Sequence, residues 1–208
     1  MPNSKIRGSF WEHHHCVPLS GDLAPSSIFE RHRDYVCFDL ETKDLAPPGF
    51  DPEALKNLGV SVCCAYDSRE DKILTYFEDE LPKFIEMLPD RLIVGYNIRR
   101  FDLPVLTGYG LNLDGLDVFD LMDEVERGLN RRFIKLQYVA EGTLGDGKSG
   151  DGKQAVEWYK QGRFEELAKY CERDVEVTTD VFKHGLEKGF LSVKFPDKDP
   201  QQFKVEWT

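Results

Sequence analysis

Three apolar runs of strand length come before any helical repeat in this chain, at 35–40, 59–66 and 72–77, with a loop through Pro47-Pro48-Gly49 joining the first two. The pattern then changes. Residues 81–88 space their apolar side chains like a short helix, 91–96 form a compact apolar strand of the buried type, and a helix is expected near Asp102. Residues 116–119 could supply a fifth strand, followed by a helical pattern through Val125 and further helical pieces at 136–140 and 155–159. Phe164, Leu167, Ala168, Cys171, Val175, Thr178 and Val181 recur at helical spacing, which predicts a long helix over 163–184 closed by Gly185. Strands first and strand–helix alternation afterwards describe an α/β domain. Its mixed five-stranded sheet has later strands parallel to the first and helices on both faces. Two short strands around Pro196 and Pro200 are expected as a C-terminal extension.

A chain of 208 residues that is 40% hydrophobic can bury one sizeable core without disulfides. One main domain is expected at 33–187, extended by 188–208; residues 1–32 carry Pro, Ser, Gly and His without a regular period and read as an N-terminal extension. The five cysteines are odd in number and form no Cys-x-x-Cys pair, which argues against a disulfide framework or a four-thiolate zinc site and fits a reducing cytoplasm. No stretch is apolar for long enough to span a bilayer, and the first ten residues lack the apolar core of a secretory signal. A soluble cytoplasmic protein with no membrane partner is expected. The formal charge of -11 argues against a protein that coats nucleic acid over its whole surface, while leaving local contact open.

The acidic residues carry the chemistry. Asp39 and Glu41 lie two apart at the end of the first strand, so strand alternation projects both carboxylates from one face. Asp102 follows the buried strand across a short turn, and Tyr170 and Asp174 lie four apart on the long helix, side by side. Sheets of this kind tend to bind ligands beyond the carboxyl ends of their strands, where strand order switches, so all five residues can converge there. Clustered carboxylates raise one another's pKa and cost stability unless divalent cations sit among them. Oxygen-only ligation favours magnesium or manganese, and two such ions roughly 4 Å apart can hold the attacking and leaving oxygens of an in-line displacement at phosphorus.

Three segments resemble the DnaQ-like exonucleases of the DEDD type, in the tyrosine-bearing subgroup of the ribonuclease H-like superfamily: Asp39-Leu40-Glu41-Thr42, Asn97-Ile98-Arg99-Arg100-Phe101-Asp102 and Tyr170-Cys171-Glu172-Arg173-Asp174. They appear in the family's order, and the resemblance covers about 35–184; the stretch from Leu136 to Trp158 further looks like the YprB-type branch. The resemblance implies a ribonuclease H-like fold and 3′-to-5′ exonuclease activity with two Mg2+ or Mn2+ ions. Asp39 would bridge both ions, Glu41 and Asp174 would complete one site, Asp102 would hold the other, and Tyr170 would orient the attacking water. It also implies nucleic acid with a 3′ end as partner, a role in DNA repair or processing, and allows a helicase supplying unwound strands.

Thr42 and Asn97 of the motifs, with Arg99, Arg100, Arg131, Arg132 and Lys135 close by in sequence, are candidates for contact with the nucleic-acid backbone, as is Lys148. Phe101 and Tyr138 could stack a terminal base, although core packing is the plainer role for both. Asp120 precedes a helical pattern and reads as a cap, and Asn97 either orients the Asp102 turn or caps it. Residues 142–149 satisfy the P-loop pattern of Gly, four residues, Gly-Lys and Ser, which would imply a nucleotide-binding protein. The context is wrong, because 136–140 reads as helix where a P-loop needs a buried strand, and Gly150 and Gly152 would break a helix opening at Lys148. His13-His14-His15-Cys16 could hold a transition metal, but consecutive side chains splay apart. An endonuclease of the same fold and a non-cutting binding module remain beside the exonuclease.

Overall fold

The computed structural model describes residues 34–49, 51–147, 152–205 and 207. Its centre is a five-stranded sheet of β1 (Tyr35–Thr42), β2 (Val60–Asp67), β3 (Lys72–Tyr76), β4 (Leu92–Gly95) and β5 (Asp117–Asp120), in the order β3-β2-β1-β4-β5. β1, β2 and β3 pair antiparallel, whereas β4 and β5 run parallel to β1, which is the mixed sheet expected from strands preceding strand–helix alternation. The order switches between β1 and β4. Pairing there stops at Cys37 opposite Val94, so the last residues of β1 separate from β4 and open a gap at the carboxyl ends.

The two faces of β1 differ in kind. Val36, Phe38 and Leu40 alternate into an apolar core with Val60, Cys63 and Ala65 of β2. The helices α1 (Pro52–Leu55), α2 (Leu81–Glu86) and α3 (Asp102–Thr107) close this face through Leu55, Phe84 and Leu106. Cys37, Asp39 and Glu41 point the other way, toward the 25-residue helix α7 (Phe164–Lys188). α4 (Leu121–Leu129), α5 (Leu136–Leu144) and α6 (Gly152–Lys160) complete the helices.

The long helix does not stop at Gly185 as the sequence pattern predicts. It continues to Lys188 and ends at Gly189, whose φ of 72° supplies the left-handed cap. Gly185 serves a close approach instead, since a Cβ there would lie 2.1 Å from the Trp207 ring. Trp207 stacks on Phe182 with centroids 5.4 Å apart, and with Leu191, Val193 and Phe203 it packs the C-terminal hairpin β6 (Phe190–Val193) and β7 (Gln201–Lys204) onto the domain. Two helices start or end beyond the expected limits: α5 runs on to Leu144 and α6 begins at Gly152. Cys37, Cys63, Cys64 and Cys171 are buried free thiols, and no helix among the described residues is long and apolar enough to cross a membrane.

A buried ion pair ties the opposite end of the sheet. Arg91, 3% exposed, donates to Tyr35 O at 2.9 Å and to Asp67 Oδ1 at 2.5 Å, joining the starts of β1 and β4 to the end of β2. Hydrogen bonding from Arg91 holds the Asp67 carboxyl below its ordinary value. Removing the cation leaves a buried carboxylate without its partner, so Arg91→Met should cost about 3 kcal/mol by denaturant unfolding. A lowered folded-state pKa contributes stability above the ordinary carboxylate range and loses it as pH falls. The deficit of the variant should therefore narrow toward acid pH; a constant deficit would assign it to packing alone.

Candidate active site

Asp39 and Glu41 reach the α7 side of the sheet because they continue the face begun by Cys37, at the point where β1 leaves β4. Asp174 comes from the middle of α7, and one oxygen each from Asp39, Glu41 and Asp174 lie within 4.8 Å of one another. Asp102 opens α3, is 3% exposed, and accepts a hydrogen bond from Leu40 N at 3.2 Å through Oδ1. That amide lies beyond the β1–β4 pairing. The carboxylate thereby takes the place of a missing strand partner. Asp39, Glu41 and Asp102 line a cleft of about 330 Å³ together with Leu45, Tyr96, Asn97, Phe101 and Val156. A larger cavity, about 600 Å³, lies beside Lys43, Phe77, Tyr159 and Phe164, and none of the five motif residues lines it.

These carboxyls are pushed upward together. Burial, then the charges of Asp102, Glu41 and Asp174, raise Asp39 well above the usual carboxylate range, and burial followed by Asp174 and Asp102 does the same to Glu41. Burial raises Asp102 to about 7, against the lowering effect of the Leu40 amide. It raises Asp174 to about 6, opposed by hydrogen bonding with Tyr170 and by the Arg173 charge. The Asp174 Oδ1 atom is buried with no hydrogen-bond partner. An acidic donor set with such an atom fits a hard divalent cation, which needs oxygen ligands and supplies the missing positive charge.

Tyr170 sits one turn before Asp174, and its phenol is raised by burial and then by the Glu41, Asp174 and Asp39 charges. It therefore keeps its proton, so it acts through hydrogen bonding and not as a base. Trp158 of α6 meets the Tyr170 ring edge-on at 5.9 Å, a brace that the sequence motifs do not reveal. Cys171 lies under the site, its Sγ 3.4 Å from Asp39 O.

The turn before Asp102 has its own support. Asn97 takes a left-handed φ of 65°, its carbonyl accepts from Arg100 N and Phe101 N, and its N–H donates to Asp120 Oδ1 at 2.8 Å. Asp120 also accepts from Arg99 N at 3.0 Å and caps α4 through Met122 N at 3.0 Å. It is a cap, as its sequence position indicates, but it also fixes the turn that carries Asp102, which only the parallel β4–β5 pairing makes possible.

The other sequence candidates separate. Thr42 is buried at the cleft and its hydroxyl donates to Asp44 O at 2.7 Å. Arg100 is engaged with Asp123 at 3.0 Å and Glu126 at 2.8 Å, and Arg99 pairs with Asp123 at 3.5 Å and donates to Val118 O. Arg131, Arg132 and Lys135 are exposed and make no ion pair among the described residues. Phe101 and Tyr138 both pack partly buried against apolar clusters. Gly142, Thr143 and Leu144 belong to α5, and Gly147 N donates to Glu141 Oε2, so this part of the P-loop-like segment spends its amides within the chain. Lys148 and His13 to Cys16 lie outside the described residues.

The model of the RNase H superfamily matches residues 36–185. This chain belongs to that superfamily. Among solved structures it is similar to the family B DNA polymerase from the hyperthermophilic archaeon Pyrobaculum calidifontis, at 18% identity and a TM-score of 0.55, over 74% of this chain and 24% of the polymerase. It also matches the zinc-bound E. coli ExoI–single-stranded DNA complex at 13% identity and a TM-score of 0.46, over 74% of this chain and 41% of that one. The chain thus spans less than half of either. No curated protein matches it significantly.

Without a bound cation, the raised carboxyls make folding pH-dependent. The folded chain holds more protons than the unfolded one from about pH 4, where free carboxyls titrate, to about 7, the value of Asp102. Stability therefore falls as pH rises through that window. The melting temperature of EDTA-treated protein should drop between about pH 4 and 7, and magnesium or manganese should restore it chiefly at the upper end. Equal pH slopes for the wild type and Asp102→Asn would locate the titration elsewhere.

Proposed function

We propose that this chain hydrolyses phosphodiester bonds as a metal-dependent 3′-to-5′ exonuclease of the DnaQ-like, tyrosine-bearing DEDD type, acting in DNA repair or nucleic-acid processing. The observation that carries this reading is the meeting of Asp39, Glu41 and Asp174 within 4.8 Å, with Asp102 on the same cleft and Tyr170 beside Asp174. The order of the three motifs and the superfamily match support it.

Asp39, Glu41 and Asp174 would hold one divalent ion, and Asp39 with Asp102 a second, with Mg2+ or Mn2+ suited to an all-oxygen set. Such ions, when bound, neutralise the developing charge at phosphorus and lower the pKa of water. The protein's own part is positioning. Tyr170, protonated and braced by Trp158, would orient the attacking water through a hydrogen bond rather than remove its proton. Leu40 N fixes the Asp102 carboxylate, and Asp120 holds the turn from which it projects. Leu45, Phe101 and Val156 give the cleft of about 330 Å³ apolar walls.

Asp39→Ala and Asp174→Ala should each abolish cleavage in a metal-titrated nuclease assay. Tyr170→Phe should slow turnover by about a hundredfold, as expected for loss of one oriented donor, without weakening metal binding. End-labelled DNA and RNA, single- and double-stranded, assayed with magnesium, manganese or EDTA, should give stepwise products from the 3′ end in the metal-containing arms only. Cleavage of a circular single strand would favour the endonuclease of the same fold, and a fully active Asp39→Ala enzyme would falsify the assignment.

A further inference from the structure

Between α4 and α5 the chain places an aromatic ring where folding alone has no use for it. Phe133 has φ of 57°, a left-handed conformation that is costly for a bulky side chain, and it is 70% exposed, the most exposed large hydrophobic among the described residues. Neither backbone strain nor lost burial is offset by core packing. The loop is nevertheless held from both sides. Phe133 N donates to Glu126 Oε1 at 2.6 Å, and Glu126 is held in turn by Arg100 at 2.8 Å. The next residue, Ile134, is buried, and its carbonyl accepts from the Tyr96 hydroxyl at 2.6 Å.

Both supports lead back toward the acidic cleft. Tyr96 lines it, and Arg100 belongs to the turn that carries Asp102. The guanidinium carbons of Arg100 and Arg132 lie 5.9 Å and 5.4 Å from the Phe133 ring centre, within cation–π range. Arg131 and Lys135, both exposed, stand within two residues of Phe133 in the chain, with the Arg131 guanidinium carbon 4.1 Å from the Phe195 ring centre, so the loop carries a local excess of cations in a chain whose net charge is -11. A rigid, outward-facing ring amid cations is complementary to a polyanion bearing planar groups, which describes a strand with unpaired bases.

Resting on the nuclease reading of the acidic cleft, we propose that Phe133 is a stacking platform for an unpaired base of the strand whose end enters that cleft, with Arg131, Arg132 and Lys135 contacting its phosphates. A paired base cannot offer its face to the ring, so the platform selects single-stranded substrate or a frayed end.

Binding of fluorescein-labelled single-stranded oligonucleotides of about 12 nucleotides, DNA and RNA, can be measured by anisotropy in calcium over a salt series. Phe133→Ala should raise Kd by about tenfold with an unchanged salt slope, because stacking releases no counterions; Phe133→Trp should restore affinity, and Arg131→Ala should flatten the slope. Phe133→Gly, which relieves the positive φ, should bind as weakly as Phe133→Ala with a melting temperature equal to or above that of the wild type, separating a binding role from a structural one. A 2-aminopurine base in the strand should be quenched by the wild type and not by Phe133→Ala. If the wild type cleaves single strands and Phe133→Ala binds them as tightly as the wild type does, the platform is overturned and the nuclease reading stands. If the wild type neither binds nor cleaves any nucleic acid, both fall.

Discussion

Four carboxyls compressed into one end of a sheet repel one another, and much of the surrounding structure is arranged to hold them there. Asp39 and Glu41 have no choice of direction, because strand alternation sends them to the face opposite Phe38 and Leu40, whose burial fixes the register of β1. Asp102 is less constrained by its own segment, and three separate contacts restrain it: Leu40 N on its carboxylate, Asp120 on the preceding turn, and the buried Ile98 and Leu103 on either side. Burial is the largest cause of the raised pKa at each of the four, and among the described residues only Asp174 has a cation, Arg173, acting against it. The fold accepts this local cost because the opposite apolar face of β1 and the Trp207–Phe182 stack stabilise it elsewhere.

The helix α7 has to serve both purposes. Leu167, Cys171 and Val175 pack on Val62 and Cys64 of β2, while Tyr170 and Asp174, from the same stretch of helix, turn to the acids. Further along, Val181 and Phe182 join a second cluster with the C-terminal hairpin. A single rigid element therefore sets the distance between Asp174 and the strand carboxylates. Its glycine at 185 belongs to the same arrangement: it lets Trp207 close over the helix, which pins α7 without touching the site.

Much of this was legible in the amino-acid order. The short apolar runs locate β1 to β5, the spacing of Phe164 to Val181 locates α7, and the Asp-x-Glu and Tyr-x-x-x-Asp spacings place two pairs of candidate site residues because strand and helix geometry are local. Gly185 misled for a physical reason, since a helix-ending glycine and a close-packing glycine look alike until the partner ring is known. Asp120 bonding to Asn97 and Arg99, Trp158 bracing Tyr170, and Arg100 spent on Asp123 and Glu126 are contacts between separate elements, with no local signature. Nor does the left-handed backbone of Phe133 show in sequence, because a phenylalanine in an expected loop predicts neither positive φ nor exposure.

An acidic chain that binds a polyanion has to solve an electrostatic problem, and the proposed site divides it in two. In the cleft, the carboxylates would repel phosphate unless divalent cations reversed the local sign, so on the proposed reading cation affinity and affinity for a strand end would rise together by linkage. At the α4–α5 loop, the exposed cations and the ring need no bound metal, and Arg100 adds little free charge because Asp123 and Glu126 already neutralise it. The two regions would then contribute to binding by different physics: one governed by metal concentration, the other by salt and stacking. Tyr96 joins them mechanically, since it lines the cleft and bonds to Ile134 O in the loop, so on the proposed reading the position of the loop relative to the acids would be fixed before a strand arrives.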